Sequence, residues 1–320
     1  MVTLEDVVAA RQVIAGQLHR TPLASSATLG ARIGAPLYLK LENWQKTGSF
    51  KPRGVLTKIV MLSAAQRERG LVTASAGNHA QAVAWAAAAA GLSCTVAMPQ
   101  TAPAAKVAAT EGYGGTVVFE PSTLTVISRA QSLAAERGYT FVPPFDDAAI
   151  IAGQGTVGLE ILEDLPEAGM VVVPIGGGGL IAGIAVAIKS QRPGMRIVGV
   201  EPEGAAAMWR SRQAGQPVRL DRVETIADGL AAPFAGELTF PLVQRYVDDV
   251  VLVTDADLRT ALRLILERCK LLVEPAGAAA IAALLAGAVQ VQPDVPVVAI
   301  LSGGNVDVSR LAQLLAEPAT

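Results

Sequence analysis

Two long stretches of this 320-residue chain carry no Asp, Glu, Lys or Arg, one between Arg69 and Lys106 and the other between Glu167 and Lys189. Uncharged runs of that length either cross a bilayer or fill an interior, so they constrain the fold more than any other feature. A bilayer span needs roughly 20 consecutive apolar residues. The first stretch contains Asn78, His79, Gln81 and Pro99, and its one helical run, His79 to Ala90, is too short to span. The second contains Pro174 and four consecutive glycines. Both read as the buried interior of a soluble protein, because parallel strands covered on both faces are written as continuous apolar segments. With 51% hydrophobic and 17% charged residues, the chain is also too apolar to be disordered.

The hydrophobic periodicity alternates between strand and helix. Thr3 and Asp6 make a capping pair for an opening helix through Val7, Val8, Ile14 and Leu18. Strands are predicted at Leu37 to Leu41, Leu71 to Ala74, Thr95 to Met98, Thr116 to Phe119, Thr140 to Val142, Met170 to Pro174, Arg196 to Glu201 and Val297 to Leu301. Between them fall helices at Val55 to Leu62, Ala80 to Ala90, Ala104 to Glu111, a segment ending at Arg137, Gly158 to Asp164 and Leu180 to Gln191. Such alternation predicts an α/β fold of doubly wound parallel sheets. The chain is longer than one core usually serves, so two lobes are expected, crossing at Val142-Pro-Pro-Phe-Asp-Asp147.

Twenty-six basic and twenty-eight acidic side chains leave a net charge of −2, with no basic footprint for nucleic acid or an anionic membrane. A small molecule is the expected partner. The two cysteines, Cys94 and Cys269, match no metal-ligand spacing and are expected to be small core residues. The N-terminal Glu5 and Asp6 stand where a secretory signal needs positive charge, so a cytoplasmic location is expected.

Ligands of open parallel sheets lie beyond the carboxyl ends of the strands, which singles out five segments. After Pro174, Ile175 leads into Gly176, Gly177, Gly178 and Gly179 and then an apolar helix. Backbone N–H groups converging at a helix N-terminus hold a phosphate without a side-chain cation. Gly177, Gly179 and Ala182 also fit G-x-G-x-x-A, with Glu201 near a ribose-binding position, so a dinucleotide-dependent oxidoreductase is a competing reading. After Leu41, Phe50 and Lys51 sit at a helix start, where a desolvated lysine would be nucleophilic. Pyridoxal phosphate needs both an amine and an anion cradle. After Ala74, Ser75, Ala76, Gly77, Asn78 and His79 open a helix, a receptor for a substrate carboxylate or an ordinary N-cap. Glu274 begins an Ala-rich helix, and Ser302-Gly303-Gly-Asn305 follows the last strand.

Taken together, Thr47-Gly-Ser-Phe-Lys51, Ser75-Ala-Gly-Asn-His79, the glycine loop, Glu274-Pro-Ala-Gly and Ser302-Gly-Gly-Asn305 resemble the fold-type II pyridoxal-phosphate enzymes, in their serine/threonine dehydratase and serine racemase branch. The likeness extends from Thr21 to Asn305 through Ala152-Gly-Gln-Gly-Thr156 and Thr225-Ile-Ala-Asp-Gly229. It implies two parallel-sheet domains with the cofactor in the cleft between them: residues 1–62 with 147–320 as the large cofactor-binding domain, and 63–146 as a small mobile one. It implies that Lys51 binds the cofactor as a Schiff base and then serves as base at the substrate α-carbon. Phe50 would pack on the pyridine ring, Asn78 would bond its phenolic oxygen, and Gly176 to Gly179 would hold the phosphate. Ser302, with Gly303 and Glu274, would complete the cofactor site, the serine facing the pyridine nitrogen. Ser75, Ala76, Gly77, Asn78 and His79 would receive the amino acid. The implied reaction is β-elimination of water from a 3-hydroxy amino acid such as L-threonine or L-serine, giving a 2-oxo acid and ammonia. A homodimer is also implied.

Departures from the pattern narrow this expectation. Racemases carry a second serine where this chain has Ala76, which favours dehydration over amino acid racemisation. Some relatives bind a divalent ion through positions matching Glu201 and Ala205 and an acid where Ala207 stands, so no metal is expected. The substrate side chain is left open, with 3-hydroxyaspartate, phenylserine and hydroxyectoine-pathway dehydratases as alternatives within the same fold.

Overall fold

The strand–helix alternation resolves into two separate sheets in a computed structural model that describes residues 1–121 and 125–316. Its strands are β1 (Leu23–Ser25), β2 (Leu37–Lys40), β3 (Leu71–Ala74), β4 (Cys94–Pro99), β5 (Thr116–Glu120), β6 (Thr140–Phe141), β7 (Met170–Pro174), β8 (Arg196–Pro202), β9 (Asp249–Val253) and β10 (Val297–Ile300). The helices are α1 (Leu4–Ile14), α2 (Ala27–Ile33), α3 (Lys51–Met61), α4 (Ala64–Glu68), α5 (Asn78–Ala89), α6 (Ala104–Gly112), α7 (Val126–Arg137), α8 (Ala148–Asp164), α9 (Gly179–Lys189), α10 (Ala207–Ala214), α11 (Thr239–Tyr246), α12 (Asp255–Leu264), α13 (Pro275–Leu285) and α14 (Val308–Ala316).

One sheet has six strands in the order β1-β2-β10-β7-β8-β9, parallel except at the β1 edge, with Val297 paired to both Leu37 and Met170. The other has four parallel strands in the order β5-β4-β3-β6. The uncharged stretches supply the central strands: β3, β4 and β7 are buried almost throughout, with α5 and α9 packed over them. No described helix is long and apolar enough to cross a membrane.

Thr3 and Asp6 form the expected reciprocal cap, the Asp6 carboxylate accepting from the Thr3 N–H at 2.9 Å. Two edge strands, β1 and β9, are absent from the periodicity reading. At an edge only part of the strand is covered, and Asp249-Val-Val-Leu-Val253 interleaves exposed and buried positions. The larger departure is α8, expected only from Gly158 but starting ten residues earlier at Ala148, where Asp147 caps it through the Ala149 and Ile150 N–H groups. Gly153, Gly155 and Gly158 look like helix breakers in sequence. In the structure they are where other helices press closest: a Cβ on Gly153 would lie 2.5 Å from the Arg53 carbonyl oxygen on α3. One on Gly155 would lie 2.8 Å from the Gly183 carbonyl oxygen on α9. The conformational cost of glycine in a helix is here exchanged for close helix packing. Both cysteines are free, Cys94 buried in β4 and Cys269 partly exposed.

Candidate active site

The carboxyl ends of β2, β3, β7 and β10 converge on a cavity of about 400 Å³. Its lining includes Phe50, Lys51, the segment from Ser75 to His79, Gly176 to Gly179, Glu274 and Ser302. Gly303 stands outside that lining: it forms a β-bridge with Ser49, and a Cβ on it would strike Glu274 Oε1 at 2.5 Å. That approach leaves room only for glycine beside Glu274.

Lys51 is the first residue of α3, with Pro52 behind it pre-setting helical φ. Its Nζ donates to the Pro144 carbonyl at 2.8 Å and lies 5.1 Å from the centre of the Phe50 ring. Burial lowers the ammonium from 10.5 to about 8, with the Glu274 carboxylate pulling the other way. The preceding loop is strained: Thr47, a β-branched residue, takes φ of 60°. Asn305 Nδ2 holds it there through the Thr47 carbonyl at 2.7 Å, while the Phe50 N–H donates to the Ser302 carbonyl.

Arg53, two residues along α3 from Lys51, belongs to a buried ionic cluster that has no signature in the sequence. The Arg53 guanidinium donates to both oxygens of Glu42 at 2.8 Å and to Glu160 at 2.6 and 2.9 Å. Lys40 Nζ donates to Glu160 at 2.6 Å and to the Thr21 carbonyl at 2.7 Å. Burial works against the Arg53 charge, but Glu42 and Glu160 hold it above its ordinary value. The cluster ties β2, the turn after it, α3 and α8 together.

Between β3 and α5 the N-cap position is Gly77, with no side chain capping the helix. Ser75 Oγ accepts from the Gly77 N–H at 3.1 Å, so it shapes the turn and leaves the start of α5 open. The ordinary N-cap alternative is thereby set aside. Asn78 has its amide oriented from two sides: Nδ2 donates to Glu274 Oε1 at 2.6 Å and Oδ1 accepts from Asn305 Nδ2 at 2.8 Å. Glu274 is raised to about 7, chiefly by burial and then by Asp228, with Lys106, Asn78 and Lys51 opposing. His79 turns into the protein, its Nε2 3.1 Å from the Val142 carbonyl. Burial and the nearby Lys51 charge push it down to about 3, so it stays neutral.

The four glycines each have a steric reason. Gly178 takes φ of +93° as the N-cap of α9, with no capping side chain. A Cβ on Gly177 would meet the Phe145 ring at 2.3 Å, and one on Gly178 would meet Met208 and Thr239 at 2.8 and 2.9 Å. Thr239 Oγ1 donates to the Gly177 carbonyl at 2.7 Å, and Asp146 accepts from the Glu237, Leu238 and Thr239 N–H groups. The crossing segment around Phe145 therefore builds the site: Pro144 accepts from the lysine, Phe145 covers the glycines and Asp146 sets the start of α11. Glu201 is unavailable for a ribose, since its two oxygens accept from the Met208 and Trp209 N–H groups at 2.8 and 2.7 Å. A dinucleotide reading of the loop loses its acid. A second lysine, Lys106 on α6, also lines the cavity and pairs with Asp228.

An uncapped helix start behind a glycine cradle, a desolvated amine and a hydroxyl in one cavity fit pyridoxal phosphate, which carries an anion, an aldehyde and a ring nitrogen. Residues 14–303 match the model of the pyridoxal-phosphate dependent enzyme family, and the chain belongs to that family. Within it, the chain is similar to the L-threonine ammonia-lyase of Thermotoga maritima, 44% identical over 98% of this chain and 78% of that one. It is 42% identical to the catabolic L-threonine dehydratase TdcB of Escherichia coli K12, over 98% of this chain and 96% of the other. Among solved structures, maize serine racemase superposes with a TM-score of 0.93 at 39% identity, covering 98% of this chain and 96% of that one. A threonine deaminase from T.th. superposes at 0.90 and 42% identity, covering 95% and 99%.

Proposed function

We propose that this chain is a pyridoxal-phosphate-dependent ammonia-lyase that dehydrates L-threonine or L-serine to a 2-oxo acid and ammonia. The observation that carries the reading is the placement of the desolvated Lys51 amine between a glycine-lined helix start and an uncapped α5. Bound there, the cofactor supplies an electron sink for charge developing at the substrate α-carbon.

The backbone of Gly176 to Gly179 would hold the phosphate, and Phe50 would pack against the ring. Ser302, whose hydroxyl reaches the Ala276 carbonyl at 3.4 Å, would offer the ring nitrogen a hydroxyl in place of a carboxylate; the nitrogen would then not be held protonated and loss of a β-substituent would be favoured. Asn78, held by Glu274 and Asn305, would offer its remaining amide proton to the phenolic oxygen. Ser75 and the backbone from Ala76 to His79 receive the substrate carboxylate at the positive end of α5. Lys51 Nζ, as a free amine, takes the α-proton, and its low pKa keeps it a competent base near neutral pH. Ala76 in the cavity wall supplies no proton, which places elimination ahead of racemisation. Residues 1–62 with 147–320 and residues 63–146 form the two bodies that close on the substrate. A homodimer in the cytoplasm completes the reading, and sedimentation of the holoenzyme measures the assembly.

Purified protein reconstituted with pyridoxal phosphate should be yellow, and borohydride should fix the cofactor on Lys51, identified by peptide mass. The holoenzyme should release 2-oxobutyrate from L-threonine or pyruvate from L-serine, and Lys51→Ala should release neither. A protein that stays colourless with added cofactor, or a coloured one that releases no 2-oxo acid from either substrate, overturns the proposal.

A further inference from the structure

Among the described residues, four charged side chains line the cavity: Lys51, Lys106, Asp228 and Glu274. Lys51 is held by the Pro144 carbonyl and Glu274 by the Asn78 amide. The remaining two form an ion pair, Lys106 Nζ donating to Asp228 Oδ2. They come from different parts of the fold, Lys106 from α6 beside the four-stranded sheet and Asp228 from the turn between α10 and α11. The Lys106 side chain is 15% exposed and that of Asp228 is 56% exposed. Around them the lining is largely apolar or small: Pro99, Ala102, Pro103, Ile127, Leu230 and Ala231.

We infer that Asp228 sets the charge of the substrate side chain, by occupying Lys106 and so turning away 3-hydroxy amino acids that carry a second carboxylate. The inference rests on the ammonia-lyase reading. An amino acid in this cavity spends its amine on the cofactor and its α-carboxylate on the α5 N-terminus, which leaves the side chain to the remaining wall. A hydrogen or methyl group loses little there. A carboxylate loses its hydration and needs a cation in return. Lys106 is the one described cation in the wall besides Lys51, and Asp228 already neutralises it. The anion would face Asp228 as a like charge, so the pair acts as a filter against the dicarboxylate while leaving the apolar walls for L-threonine and L-serine.

The test compares kcat/KM for L-threonine and threo-3-hydroxyaspartate, read as 2-oxo acid release, in wild-type holoenzyme, Asp228→Asn, and Asp228→Asn with Lys106→Met. Wild type should favour L-threonine by about tenfold or more, in keeping with an unmade charged hydrogen bond. Asp228→Asn should shift the ratio toward the dicarboxylate by about tenfold, and adding Lys106→Met should take that shift away. A purely structural role for the pair would lower both substrates together and leave the ratio alone. The visible band of the holoenzyme, titrated with L-aspartate and L-alanine, reads the same preference without turnover. The inference is overturned if wild type uses both substrates equally, if Asp228→Asn leaves the ratio and the titration within twofold of wild type, or if the shift survives loss of Lys106. A holoenzyme that releases no 2-oxo acid but still prefers L-alanine to L-aspartate, with the preference lost in Asp228→Asn, sinks the ammonia-lyase reading and leaves the filter standing.

Discussion

Replacing Lys51 by methionine removes the group on which the proposed chemistry turns, and it should make the cofactor-free protein more stable. The folded protein lowers this ammonium from 10.5 to about 8 by burying it. At about 1.4 kcal/mol per pKa unit, keeping the charge at pH 7 costs about 3 kcal/mol relative to the unfolded chain. Methionine has a similar reach and no charge. It forgoes the hydrogen bond to the Pro144 carbonyl, worth about 1 kcal/mol, so a net gain of about 2 kcal/mol is expected at pH 7. The sign with pH follows from the direction of the shift. Between about 8 and 10.5 the unfolded chain binds more protons at this site than the folded one, so wild-type stability rises across that window. The advantage of Lys51→Met should therefore be full at pH 7 and shrink steadily toward pH 10.

Urea unfolding of the two apoproteins at pH 7, 8.5 and 9.5, with the midpoint and slope fitted together, measures the gap. Glu274→Gln supplies an internal check: that carboxylate raises the Lys51 pKa, so removing it should widen the gap at pH 7, where the folded amine is still mostly charged, more than at pH 8.5. A methionine variant less stable than wild type at pH 7, or a gap that ignores pH, would mean that the amine is not desolvated, and the argument for its reactivity would fall with it.

Three further outcomes are expected. Gly183→Ala places a Cβ 2.3 Å from the Ile151 carbonyl oxygen and 2.5 Å from the Gly155 nitrogen, so it should cost about 2 kcal/mol or more in denaturant unfolding; an unchanged midpoint would show that α8 and α9 have room to part. Arg53→Met leaves the buried Glu42 without its cation and Glu160 with Lys40 alone, and should lose about 3–5 kcal/mol in denaturant unfolding; an unchanged midpoint would sink the account. Asp146→Ala removes the acceptor for three N–H groups at the start of α11, costing about 1–2 kcal/mol by analogy with a lost cap. Because Thr239 in that turn holds the Gly177 carbonyl, this variant should also bind pyridoxal phosphate more weakly in a visible titration.

Which parts of the molecule were legible beforehand follows from the range of the interactions concerned. The central strands and the glycine loop were readable because their cause is local: burial on both faces writes an apolar run, and an anion cradle writes glycines at a strand end. The edge strands β1 and β9 left a weaker trace, being only partly covered. The glycines of α8 misled because their cause is distant. Gly155 is small for the sake of Val7 and Gly183, and nothing in the flanking sequence records that approach.

The same argument explains why charge scarcity led only part of the way to the site. It drew attention to the two helix starts in the uncharged stretches, and α5 and α9 do begin without charged or capping side chains. It gave no sign of the charges that the fold buries or brings into the wall. Lys40, Glu42, Arg53 and Glu160 are scattered along ordinary-looking charged segments, yet they are buried together, and the partners Arg53 and Glu160 are 107 residues apart. Lys106 and Asp228 are 122 apart and meet in the cavity wall. Interior charges are tolerated only with an ionic or hydrogen-bonding partner, and the fold supplies that partner. A sequence poor in charge therefore carries a sharper message than dryness: each charge retained near the site is bound to a partner, and Lys51, whose ammonium burial penalises, is the one left reactive.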